Sequence, residues 1–218
     1  MSAVERCVEN GLEVVLGRAG HHYEIIGNGL FLMATYGGAS ERVLVRAVLS
    51  LLETPRSVLI GGLGVGYSTQ EALRWPTVEK VIVVEISASV ARWNRTYFSR
   101  KNGNCLISRR VELVIGDFGY YIRECPYLYD AIVCDTDNGS DWLCTKGNAW
   151  LYGREGFYAM KSALAPGGAV SIWSICHSPG FLQRLQDVFP DVRALEVDDN
   201  WLYLARSPAK GARLEVDS

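Results

Sequence analysis

Apolar and polar positions alternate through the first ~35 residues, with apolar runs at Leu12–Leu16, Tyr23–Ile26 and Leu30–Met33. A side-chain period of two is the mark of a strand with one buried face. The breaks fall at Gly17–Gly20 and at Gly27-Asn28-Gly29, and Asn-Gly is a strong tight-turn signal. The chain therefore opens with a small antiparallel meander. Ser40 then reads as a helix N-cap, and Val43, Leu44, Ala47, Val48, Leu51 and Leu52 follow at helical spacing up to Pro55.

From Ser57 the pattern changes to short runs that are apolar on both faces. They lie at Ser57–Gly61, Val81–Glu85, Glu112–Gly116, Ala131–Asp135 and Ala169–Ser174. Helical stretches separate them, one through Ala72 and Leu73 and another capped by Ser87 and running through Val90 and Trp93. Such alternation predicts a mostly parallel sheet covered on both faces. The last two runs, Asp191–Val197 and Trp201–Ala205, are separated only by Asp198-Asp199-Asn200, which predicts an antiparallel hairpin. The expectation is an α/β, Rossmann-like sheet (residues 39–218) behind an N-terminal β-meander (residues 1–38).

Composition narrows the classes. With 49% hydrophobic residues the 218-residue chain can bury a full core, against disorder. A formal charge of -2 gives no electrostatic reason to expect nucleic-acid or anionic-membrane binding. No apolar run reaches the roughly 18 residues of a spanning helix, and the N-terminus shows no signal-peptide pattern. The six cysteines (Cys7, Cys105, Cys125, Cys134, Cys144 and Cys176) include no CxxC pair, and the histidines are the neighbours His21 and His22 plus a distant His177. Neither a disulfide framework nor a metal site is expected, and the cysteines read as reduced, mostly buried thiols of a soluble cytoplasmic protein.

The candidate chemistry sits at strand ends. Gly61, Gly62, Gly64 and Gly66 follow the first core strand and open a helix. Glycines there let the backbone approach a ligand, and the helix start offers free N–H groups. Glu85 closes the second strand, beside Ile86, where an acid accepts ribose hydroxyls. The spacing Gly62-x-Gly64-x-Gly66 departs from the Gly-x-Gly-x-x-Gly of dinucleotide enzymes and favours an adenosyl-methionine type of loop. Gly116, Asp117 and Phe118 follow the third strand, where transferases with an adenosyl-methionine type of loop place an acid beside the adenine; capping of the next helix is the alternative for Asp117. Asp135 ends the fourth strand, where ligands sit in open α/β sheets. Asp137 follows, and also suits a turn with Asn138-Gly139.

These motifs resemble the spermidine synthase family within the class I S-adenosylmethionine-dependent proteins. The likeness runs from about residue 12 to residue 206. It rests on Asn28-Gly29, Leu32-Met33, the Gly61–Gly66 loop, Val83–Glu85, Gly116-Asp117, Tyr129–Ile132, Asp135–Gly139, Asn148–Tyr152 and Leu164–Ser174. It implies Asp135 as the group that orients or deprotonates an attacking amine, with Asp137 beside it. It also implies an acceptor site near Asp137, Asn138, Asp141, Trp142, Trp150, Tyr152 and His177, and leaves room for a homodimer.

The sequence departs from the family in three places. Gly64 and Val65 stand where aminopropyltransferases carry an acid that contacts the amine of decarboxylated S-adenosylmethionine. Leu32-Met33 replaces a glutamine, and Ser40-Glu41-Arg42 replaces a Tyr-(His/Gln)-Glu motif. A loop acid would repel the carboxylate of intact S-adenosylmethionine. Its absence favours intact S-adenosylmethionine and, most simply, methyl transfer to a small, amine-like acceptor. Aminopropyl transfer from decarboxylated S-adenosylmethionine is the alternative. Transfer of the 3-amino-3-carboxypropyl arm stays open, and so does a non-catalytic nucleoside-binding module.

Overall fold

The computed structural model describes residues 2–9, 11–143 and 146–209. Two sheets organise it. The first is a four-stranded antiparallel sheet in the order β1-β2-β3-β4, built from Ser2–Glu9, Leu12–Ala19, His22–Gly27 and Leu30–Ala34. The expected meander is thus present with one strand more, because β1 has an inverted pattern. Its Val4 and Val8 face outward, while Glu5, Cys7 and Glu9 are half-buried. Both inward acids find donors at the helix α3 (Ala88–Thr96). Glu5 accepts from the Trp93 indole and the Tyr97 hydroxyl, and Glu9 accepts from the Ser87 and Ser89 hydroxyls.

The second sheet has the order β10-β11-β9-β8-β5-β6-β7. Its strands are β5 (Ser57–Gly61), β6 (Lys80–Glu85), β7 (Val111–Ile115), β8 (Tyr129–Cys134), β9 (Leu164–Ser174), β10 (Asp191–Val197) and β11 (Asn200–Arg206). Strands β5 to β9 pair in parallel, and β11 runs antiparallel to both β9 and β10, as the hairpin spacing predicts. The hairpin turns on Asp198 and Asp199, both at positive φ, the twist that a two-residue hairpin loop requires.

Strand alternation sorts the core into two layers. Val58, Ile60, Val81, Val83, Ala131 and Val133 face one side, with α1 (Ala39–Leu49), α2 (Tyr67–Leu73), α3 and the N-terminal sheet. Leu59, Ile82, Val84, Ile132, Cys134, Val170 and Ile172 face the other, with α4 (Phe118–Glu124), α5 (Arg154–Ser162) and α6 (Pro179–Gln186). At about 1.5–3 kcal/mol for each fully buried aliphatic or aromatic side chain, these layers supply the main driving force. Leu12, Val14, Leu16, Ile25 and Met33 of the N-terminal sheet join the first layer, in one cluster with Leu63, Val65 and Trp93.

Local details correct three expectations. Helix α1 is capped at Gly38, whose φ of 98° suits glycine, so Ser40 lies within the helix instead of capping it. The helix also ends at Leu49, with Leu51 and Leu52 in the turn that follows. Of the cysteines, Cys105 and Cys134 are buried while Cys7, Cys125 and Cys176 are half-buried, and Cys144 lies outside the described residues. Ser87 does cap α3, accepting from Val90 N–H at 3.2 Å. Among the described residues no helix is long and apolar enough to cross a membrane.

Candidate active site

Strand order reverses at β5, whose neighbours are β6 on one side and β8 on the other. Crossovers leaving in opposite directions open a crevice at the carboxyl ends of these strands. Backbone bonds continue past the strand ends and fix the loops there. Gly62 N–H donates to Val84 O, Asp135 N–H to Gly61 O and Gly116 N–H to Glu85 O, each at 2.9 Å. The glycine loop is tied from behind by two buried amides. Asn94 Nδ2 donates to Gly64 O at 2.8 Å, and Asn102 Nδ2 donates to Val65 O at 3.1 Å and to Asn94 Oδ1 at 2.8 Å. From the N-terminal sheet, the Met33 sulfur accepts Val65 N–H at 3.2 Å.

A cavity opens at this crevice. Gly62, Gly64, Glu85, Ile86, Asp117, Phe118, Asp135, Asp137 and Asn138, all singled out in the sequence, line it. Each carboxylate has its own support. Glu85 is 7% exposed and accepts Leu63 N–H and Ser87 N–H, each at 2.8 Å, through separate oxygens. Burial raises its pKa against the pull of backbone N–H donors from Ser87, Leu63 and Gly64. Asp117 caps α4, accepting Tyr120 N–H at 2.7 Å, and also lines the cavity. Asp137 is 5% exposed and accepts the Asn148 amide at 2.6 Å. That bond ties the Asp135–Gly139 loop to the 3-10 segment Lys146–Tyr152.

Asp135 accepts a hydrogen bond from the Ser68 hydroxyl of α2 at 3.0 Å. Burial first, and the charge of Glu41 second, push its pKa up to about 7. A carboxyl poised near neutrality is suited to proton transfer at physiological pH.

Other predicted residues stand apart from the lining. Gly61, Gly66 and Gly116 shape the loops behind it; at Gly61 a side chain would strike the Phe118 ring, and Gly66 caps α2 at φ 91°. Trp142 is 55% exposed and Asp141 is exposed as well. Tyr152 is buried, its hydroxyl 3.1 Å from that of Thr136, and Trp150 lies under the Arg123 guanidinium. His177 packs against Trp201 at 4.3 Å between ring centroids, with the rings tilted by 41°. Asp130, part of the Tyr129–Ile132 motif, lies near the start of β8 and accepts Arg56 N–H and Ser57 N–H at the start of β5, each at 2.8 Å.

Sequence reasoning passed over Glu41. It lines the cavity yet is only 8% exposed, on the buried face of α1 with Leu44, Val45 and Val48. The signal was present: an acid at positions i, i+3, i+4 and i+7 of an apolar stripe has to be paired or functional. Asn148 and Trp173 also line the site.

The switch-point crevice, its glycine turn and the acid closing the adjacent strand define a Rossmann-like α/β protein with a methyltransferase-like fold. Solved structures agree on the fold. A spermidine synthase crystallised with the transition-state analogue AdoDATO superposes with a TM-score of 0.80 over 95% of this chain and 74% of that one, at 20% identity. The spermidine synthase of Thermotoga maritima does so with a TM-score of 0.77 over 95% of this chain and 73% of that one, also at 20% identity. The chain belongs to the spermine/spermidine synthase domain family, whose pattern matches residues 39–183. Among curated relatives, polyamine aminopropyltransferase 2 of Hyperthermus butylicus is 35% identical over 127 residues, 58% of this chain and 41% of that protein. Putrescine N-methyltransferase 3 of Nicotiana tabacum is 36% identical over 141 residues, 62% of this chain and 35% of that protein. The matched part thus spans less than half the length of either relative.

Proposed function

We propose that this protein transfers an aminopropyl group from decarboxylated S-adenosylmethionine to a primary amine of a short diamine or polyamine. One observation carries the reading. The cavity is lined by Glu41, Glu85, Asp117, Asp135 and Asp137 and, among the described residues, by no lysine, arginine or histidine. The decarboxylated donor is cationic at both its sulfonium and its amine, and a diamine is a dication. Intact S-adenosylmethionine would bring a carboxylate into a cavity whose described lining is acidic and offers it no cation, which is unfavourable where water is thin. This outweighs the argument from Gly64 alone, which favoured the intact donor because the loop lacks an acid. The names of the relatives support an amine acceptor, since they include both polyamine aminopropyltransferases and putrescine N-methyltransferases.

The residues present fit the donor. Gly62 and Gly64 line the cavity, Glu85 offers a carboxylate to ribose hydroxyls, and Asp117 with Phe118 borders the position for a base. When bound, the sulfonium supplies an activated carbon and leaves as a neutral thioether. The chain's part is to align the amine with that carbon and to take its proton. Asp135, with one oxygen held by Ser68, is the group placed to take it.

Methyl transfer to the same amine is the second reading, favoured by Gly64 specifically. Calorimetry with both donors, followed by mass spectrometry of products from 1,3-diaminopropane, putrescine and spermidine, decides between them. We expect the decarboxylated donor to bind at least ~10-fold tighter, a difference of about 1.4 kcal/mol, and products to carry a three-carbon amine. Tighter binding of the intact donor with methylated products would establish the second reading instead. Tight donor binding with no product from any amine would mark a non-catalytic module.

A further inference from the structure

Glu41 and Asp135 reach the cavity from different elements, α1 and the end of β8, and each is oriented by a serine. The Trp173 indole N–H donates to Ser40 Oγ at 3.1 Å, and the Ser40 hydroxyl donates to Glu41 Oε2 at 2.9 Å. On the other side the Ser68 hydroxyl donates to Asp135 Oδ2 at 3.0 Å. Each acid therefore has one oxygen pinned by a hydroxyl, while both remain part of the cavity wall.

Among the described residues lining the cavity none is a lysine, arginine or histidine. Arg42, next in sequence to Glu41, turns away: its guanidinium lies 4.4 Å over the Tyr67 ring and donates to Gln70 Oε1. The other titratable groups facing Asp135 are Asp137 and Cys134 beside it, Glu85 at the end of β6, Asp117 before α4 and Tyr152 in the 3-10 segment. None of these carries positive charge. Two carboxylates sharing such a site hold on to a proton until a cation replaces it.

We propose that Glu41 and Asp135 form a proton-sharing clamp for the acceptor's ammonium group, in which Glu41 is the positioning residue that sets the pH at which Asp135 works. The empty pair carries one proton near neutral pH. Entry of the ammonium expels that proton to solvent, leaving both carboxylates ionised around the cation. One proton of the ammonium then passes to Asp135, which frees the nitrogen lone pair, and the N–C bond forms as the donor's C–S bond breaks and the sulfur leaves as a neutral thioether. The inference rests on the proposed amine acceptor, and its test separates the two.

The first measurement needs no ligand. Carboxyl 13C NMR titration of Asp135 in the full chain is expected to give an apparent pKa near neutrality. Glu41→Gln should lower it by about one unit or more, since burial still acts and only the neighbouring charge is gone. Glu41→Asp, which keeps the charge, should restore most of the shift. An unchanged Asp135 titration in a folded Glu41→Gln variant overturns the clamp, whatever the enzyme's reaction. The second measurement is putrescine calorimetry at pH 7 in buffers of different ionisation enthalpy. Release of a substantial fraction of a proton by the wild type, and much less by Glu41→Gln, is expected. Binding without proton release overturns the clamp alone. Failure of putrescine, 1,3-diaminopropane and spermidine to bind, with the Asp135 titration as expected, overturns the acceptor class and leaves the coupled pair standing.

Discussion

The backbone carbonyl of Asp135 lies directly over the α-carbon of Gly62, so close that any side chain at Gly62 would strike it. Gly62 also holds a φ of 89°, where L-residues with a Cβ are strained. The glycine loop and the candidate base are therefore packed against each other. Gly62→Ala should cost roughly 2–4 kcal/mol from left-handed strain and overpacking combined. Thermal melts check that. Turnover should fall further than the stability loss explains, because the substitution pushes Asp135 itself. Near-normal turnover in the folded variant would show that the Asp135 position tolerates displacement.

Met33 and Gly64 form a second such pair. A Cβ on Gly64 would sit 2.9 Å from the Met33 sulfur, the same atom that accepts Val65 N–H. The acid missing from the loop is thus accompanied by a thioether occupying its approach. Gly64→Asp alone should disturb the loop and lower donor affinity generally. Combined with Met33→Ala, it should bind decarboxylated S-adenosylmethionine well and discriminate against the intact form at least ~10-fold more than wild type, about 1.4 kcal/mol. Calorimetry on both variants reads this.

Asp135→Asn should abolish transfer while changing donor affinity only a few-fold. It should also stabilise the protein at alkaline pH. The folded-state pKa of Asp135, near 7, lies above the ordinary carboxylate value, so the native state holds a proton that the unfolded chain releases. Stability then declines as pH rises from about 4 to 7 and stays lower above it. Removing the ionisable group removes that decline. A gain of about 1 kcal/mol would raise Tm by ~2–4 °C in a chain of this size, visible at pH 8 and absent at pH 4.

Glu5 behaves oppositely. The Arg92 hydrogen bond first, then those from Trp93 and Tyr97, hold its carboxyl down to about 2. Its contribution is present above the unfolded carboxylate range, near 4.5, and is lost as pH falls through that window toward 2. The docking of β1 on α3 should loosen there. Trp93, whose indole donates to Glu5 at 2.9 Å, reports it by fluorescence. In Glu5→Gln the acid-dependent change between pH 4.5 and 2 should vanish, and its persistence would assign the transition to another group.

Gly64 viewed alone, as a missing acid, pointed toward an intact donor; the cavity as a whole points the other way. Whether a charge is welcome depends on every group within several ångströms, and those groups come from α1, β6, β7 and β8, up to about a hundred residues apart in sequence. Glu41 was read only as part of a departure from the family motif, because an acid in a helical stripe signals pairing or function without saying whether its face meets a ligand or another helix.

The layered sheet, its terminal hairpin, the glycine turn, Glu85, Asp117 and Asp135 were legible from the order of residues, because strand period, turn chemistry and strand-end position are short-range properties. Strand β1 was not. Its inward face is acidic, and only the donors of α3 make that burial tolerable. The same holds for the site's electrostatics. Tertiary structure alone decided that five carboxylic acids share one cavity with no basic side chain among the described residues lining it, and that Glu41's charge acts on Asp135 there. Charges interact through space, and the chain had to fold before their distances had values.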